Sequence, residues 1–99
     1  MNTHLFFSDD RRDRMKNRIH HLRGARSLQD RLTIVSDILD IFMEQDEPRT
    51  AMQGASCADL VRETIEFAAK VPDLAQLVLA SDAYARYKAD MRAMRALAA

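Results

Sequence analysis

The chain is expected to fold as an all-α, four- or five-helix bundle, and three observations carry that expectation. Only two glycines and two prolines interrupt 99 residues, which leaves few places to turn and favours long helices over many short strands. The abundant residues, Ala, Arg, Leu and Met among them, are mostly good helix formers. Apolar residues recur at helical spacing, whereas no stretch alternates apolar and polar for long and no Asn-Gly or Asp-Gly pair signals a hairpin. The length suits one helical domain spanning residues 1–99.

Residues 1–8 read as a short apolar arm built on Leu5, Phe6 and Phe7, with Ser8 as N-cap of a first helix over about 9–23. Asp9 and Asp10 fall in its first turn, where the helix dipole favours acids, and Gly24 is the expected stop. Only Met15, Ile19 and Leu22 share a face there, and basic residues border that narrow stripe on both sides.

The second helix, about 28–45, carries the strongest signal. Ser27 is positioned to cap it, with Asp30 three residues on. Leu28, Leu32, Val35, Leu39 and Phe42 form one apolar row and Ile34, Ile38 and Ile41 a second. With Met43 they fill an arc of about 200° at 100° per residue. A surface helix needs only about 100°, so this helix is expected at the centre, packed on two sides. Its polar face carries Asp30, Asp37, Asp40 and Glu44 and no base; Arg31 falls on the apolar side.

Residues 46–55 are expected to form a loop, with Pro48 blocking continuation and Gly54 allowing a turn. Ser56 then caps a third helix over about 57–70, with Cys57, Leu60, Val61, Thr64, Ile65, Phe67 and Ala68 on its apolar face. Pro72 ends it and opens a helix over about 73–80. The apolar stripe of the last stretch, about 82–97, is rotated by roughly 110° from that of 73–80. A break at Ser81 therefore gives either two helices or one kinked helix.

The charge balance is zero overall but segregated. Residues 1–35 hold eight bases against four acids, residues 36–66 two against eight, and residues 67–99 five against three. A basic helix can meet an external polyanion or an acidic neighbour within the bundle.

Several function classes are disfavoured. No apolar run approaches the roughly 20 residues of a membrane span, so no membrane association is expected, and the first residues lack the basic and apolar regions of a signal peptide. One cysteine cannot close an internal disulfide, which suits a reducing compartment and makes the cytoplasm the expected location. His20 and His21 are adjacent and diverge by about 100°, His4 is distant, and Cys57 sits on an apolar face, so no metal site is expected. A thiol buried among apolar groups is the reverse of an activated nucleophile, and carboxylates on a solvated face have nothing to split their pKa values. No catalytic residue, cofactor or small-molecule substrate is expected.

Two surfaces remain as candidates. The first is the basic set Arg11, Arg12, Arg14, Lys16, Arg18, Arg23 and Arg26, in a stretch whose one acid is Asp13; arginine suits phosphate by its bidentate fork. The second is Tyr84, Tyr87, Met91 and Met94, spaced to share a face and apt for an interface by residue type. The expected function is that of a small non-enzymatic regulator, an adaptor, inhibitor or antiactivator acting on another protein and self-associating as a homodimer. The alternative is a nucleic-acid-binding transcriptional regulator that uses the Arg-rich helix 11–26.

Overall fold

A computed structural model describes residues 6–44 and 51–98. Five α-helices account for nearly all of them: α1 (Phe6–Gly24), α2 (Leu28–Met43), α3 (Ala51–Ala69), α4 (Pro72–Leu79) and α5 (Asp82–Ala98). No strand occurs among the described residues.

The local signals for α2 operate as read. Ser27 has extended backbone, and its Oγ accepts the Asp30 N–H at 3.0 Å. Arg31, placed by periodicity on the wrong side, donates from Nε to the Ala25 carbonyl at 3.1 Å and so ties the α1–α2 turn to the helix it precedes. Pro72 stands at the first turn of α4, where its missing N–H costs nothing. Ser81 separates α4 from α5. Its Oγ accepts the Tyr84 N–H at 3.2 Å and donates to the Val78 carbonyl at 2.7 Å, so the phase slip is a break between two helices.

Three boundaries differ from expectation. Backbone is already helical at Phe6, so Phe6, Phe7 and Ser8 lie inside α1, and Ser8 is not its cap. Nothing between Phe6 and Asp9 breaks a helix, and a favourable cap residue does not oblige a helix to begin there. The rest of the expected arm, residues 1–5, lies outside the described residues. Helix α3 begins at Ala51 rather than Cys57, which places Gly54 and Ser56 within it. A lone glycine costs a helix interior only about 1 kcal/mol, and Ala51, Met52 and Gln53 are all good helix formers. Helix α2 ends at Met43, and Gln45 through Thr50 lie outside the described residues.

Helix α2 is the hub. α1, α3, α4 and α5 each contact it, and α1–α3, α3–α4 and α4–α5 also touch, whereas among the described residues α1 and α5 do not meet. The four helices therefore make an open ring around α2. The gap falls where its apolar arc ends, at the exposed Gln29, Asp30, Thr33 and Asp40. The core joins Val35, Ile38, Leu39 and Phe42 of α2 to Met15, Ile19 and Leu22 of α1. Cys57, Leu60, Val61 and Ala68 of α3, Leu74 and Val78 of α4 and Ala83 of α5 complete it. Thr64 is fully buried in this apolar setting, and its hydroxyl is satisfied by the Leu60 carbonyl at 2.8 Å. The described body measures 39 × 37 × 18 Å; its short axis has room for two helices, each about 10 Å across.

Leu39 and Ile38 are both fully buried. Leu39→Ala should destabilise the protein by about 2–5 kcal/mol, as large-to-small substitutions in packed cores do, measured by chemical denaturation. Ser81→Ala should cost about 0.5–2 kcal/mol through loss of the cap and should lower the helical signal of the C-terminal segment.

Candidate interaction surfaces

The basic helix is the first candidate, and the structure places most of its arginines against acids of the same chain. Arg12 makes a bidentate pair with Asp59 of α3, with both N···O distances 3.0 Å. Arg14 does the same with Glu44 at the end of α2, at 3.0 and 2.5 Å. Arg18 meets Asp37 of α2 at 2.6 Å, and Arg23 pairs with Glu63 of α3. The order of partners also gives helix direction. Along α1 the pairs run to Glu44 and then Asp37, so α1 and α2 are antiparallel. Toward α3 they run to Asp59 and then Glu63, so those two helices point the same way. Eleven residues of α1 answer to four of α3, about 16 Å against 6 Å of rise, which means that the two helices cross rather than lie side by side.

This arrangement follows from the narrow apolar stripe of α1. Among the described side chains of α1, Met15, Ile19 and Leu22 are the buried ones, and the residues beside that stripe fall at the seams with α2 and α3, where the acids stand. Arg14 and Arg23 keep exposed faces, and α1 also turns outward Asp13, Lys16, Asn17, His20 and His21. Arg11 and Arg26 complete the predicted basic set. Arg11 is half-buried, and its charge helps to hold Glu44 ionised; Arg26 is exposed in the turn after α1. A polar groove of about 300 Å³ runs between α1 and α3, with Arg12, Lys16, His20 and Arg23 on one wall and Asp59 and Glu63 on the other. Its cations thus face carboxylates within the groove itself.

A further pair was not legible in the sequence. Arg86 of α5 meets Asp40 of α2 at 2.9 Å. Three of the four acids on the polar face of α2 are therefore held by arginines, Asp37 and Glu44 from α1 and Asp40 from α5. No periodic signal links residues 46 positions apart, so only the packing of α5 on α2 reveals it.

The second predicted face, Tyr84, Tyr87, Met91 and Met94, is half-buried along its length. Tyr87 meets Phe42 edge to face, with ring centroids 6.0 Å apart and planes at 61°. Its phenol is pushed above the ordinary range by burial. Met91 also packs on the core. Tyr84 stacks at a tilt on Tyr87, with centroids 6.0 Å apart, and carries the Lys88 ammonium 5.6 Å from its ring centre. The inner part of this stripe thus seals α5 to α2.

Tyr84 also borders a feature that sequence reasoning missed. A hollow of about 80 Å³ opens where α3, α4 and α5 converge, lined by Ile65, Ala68, Ala69, Ala75, Val78, Leu79 and Tyr84. At its edge Leu79 is 64% exposed. Leu77, on another side of α4, is 40% exposed, and these two are the large hydrophobics that stand out among the described residues. The sequence carried a faint signal in Leu77-Val78-Leu79, three consecutive apolar residues that one helix cannot all turn inward.

The remaining chemistry is sparse. Among the described residues no three His, Cys, Asp or Glu converge as metal ligands would, and Cys57 lies buried in the core. No described helix is long and apolar enough to cross a membrane. Compared with models of known families, with curated proteins and with solved structures, the chain finds no match.

The ion pairs make stability depend on pH in a defined direction. The Arg12 guanidinium bonded to Asp59 holds that carboxyl below its usual range, and Arg14 does the same to Glu44. A carboxyl whose pKa is lower folded than unfolded stabilises the fold above the unfolded value, near 4, and loses that contribution as pH falls through the folded value. Thermal unfolding followed from pH 7 downward should therefore show a plateau and then a decline below about pH 5, and Glu44→Gln with Asp59→Asn should flatten the decline. Each exposed pair should contribute no more than about 1 kcal/mol. Charge reversal of Arg12, Arg14 and Arg18 together should lower stability and should do so less at high salt.

Proposed function

We propose that this chain is a small non-enzymatic regulator, an adaptor, inhibitor or antiactivator that acts in the cytoplasm by binding another protein and is itself a homodimer. One observation carries the reading. Four of the seven cations that would serve an external polyanion, Arg12, Arg14, Arg18 and Arg23, are engaged by carboxylates of the same chain, while apolar surface stands exposed beside the hollow between α3, α4 and α5. An exposed apolar patch set among polar surroundings is a common mark of a protein-binding site. The helical scaffold supplies rigid, solvent-facing elements on which such a patch is held in place.

The competing reading, transcriptional regulation through the Arg-rich helix, makes a distinct claim. Phosphate contacts by arginine release counterions and give an affinity that falls steeply with salt. To make them, Arg12, Arg14, Arg18 and Arg23 have to leave Asp59, Glu44, Asp37 and Glu63. Anisotropy titrations of the purified chain against random duplex DNA and RNA across a salt series should show no appreciable binding at near-physiological salt. Micromolar or tighter affinity with a steep salt slope, abolished by reversing Arg12, Arg14 and Arg18, would overturn the proposal in favour of nucleic-acid recognition.

A further inference from the structure

We infer that two copies of this chain join face to face through the hollow between α3, α4 and α5, each seating its Leu79 in the hollow of the other. The inference rests on the self-association part of the function proposed above and assigns it a surface. The floor of the hollow is the buried Ala68 and Val78, and Ile65, Ala75 and Tyr84 stand around it. Its volume, about 80 Å³, corresponds to two or three waters at about 30 Å³ each, the scale of one branched aliphatic side chain. Apolar lining leaves a water there without polar partners, so an apolar side chain is the occupant that the lining favours.

Leu79 itself points to a second copy as that occupant. A two-fold interface uses the same patch on both subunits, so the patch has to be its own complement. Here one patch holds both halves of the contact: a projecting leucine, 64% exposed at the last turn of α4, and beside it an apolar recess of matching size. Around them the side chains are small. Ala69 and Ala80 are exposed, which lets a second backbone approach closely. The residues that line the hollow carry no charge, and Lys88 stands over the Tyr84 ring at its edge. The other exposed leucine, Leu77, does not border the hollow and provides an internal comparison.

The test is sedimentation equilibrium of the full chain from roughly 10 μM to 1 mM, a range that brackets weak association. The parent protein should show a reversible monomer–dimer equilibrium. Leu79→Asp should weaken it at least tenfold, as should Ala75→Leu, which fills the recess from within. Leu77→Asp should leave it unchanged. Circular dichroism and melting of each variant establish that the fold is kept, which the exposure of Leu79 favours. As an independent readout, Leu79→Cys should form a disulfide-linked dimer under mild oxidation, whereas Leu77→Cys should not. A dimer that Leu79→Asp and Ala75→Leu leave intact would overturn this interface while leaving self-association standing. A parent protein that stays monomeric throughout the range would overturn the interface and the homodimer with it.

Discussion

The fold depends on the width of the apolar arc of α2. An arc of about 200° is about twice what one packed face requires, so no single neighbour can dry it. The chain answers with four helices, each touching α2, in a ring that stays open between α1 and α5. The opening coincides with the polar strip that carries Gln29, Thr33 and Asp40. The closed part of the ring and the apolar arc are the same angular range, because a helix placed over the polar strip would have to desolvate carboxylates for no apolar gain. The flatness of the described body follows from the same cause.

The carboxylates at the two edges of that strip give the ring its limits. Asp37 and Glu44 meet arginines of α1, and Asp40 meets Arg86 of α5. All of these side chains keep substantial exposure, and exposed pairs contribute at most about 1 kcal/mol each. Burial of Met15, Ile19 and Leu22, at about 1.5–3 kcal/mol per large side chain, outweighs the arginines in holding α1. The pairs therefore act chiefly on direction. They distinguish the observed placement of α1, antiparallel to α2 and crossing α3, from a reversed one in which Arg14 and Arg18 would lose Glu44 and Asp37. The segregation of charge along the sequence, which from composition alone admits an external polyanion, becomes in three dimensions a means of specifying which helix lies where.

This has a bearing on function. A surface engaged within its own molecule is available to a ligand only against that engagement, so the seven basic residues of 11–26 do not form one open patch. The outward ridge of α1 mixes Asp13, Lys16, Asn17, His20 and His21, a composition ordinary for a solvated helix. The apolar surface on α4 lies at the junction of three consecutive helices. Because α4 has only eight residues, it turns Leu74 and Val78 inward and has no further turn over which to cover Leu79. A short connecting helix with more apolar residues than its inner face can hold is a direct structural source of a binding patch.

The all-α class, the break at Ser81, the cap at Ser27 and the inward faces of α2 and α3 were legible in the sequence, because each rests on local chemistry or on a period that a helix imposes on its own residues. The central place of α2 was legible for the same reason, since the width of an arc is a property of one helix. Helix ends were less so. Ser8 and Ser56 are good cap residues, yet helical backbone runs through both, as the cost of one glycine or one unused cap is smaller than the gain from continuing a helix. What the tertiary structure alone decided was the partner of each charged and exposed group: Arg12 with Asp59, Arg86 with Asp40, Tyr87 against Phe42, and Leu79 left at the rim of a recess. Those contacts join residues tens of positions apart. No periodicity encodes them; they follow from how four helices share the surface of a fifth.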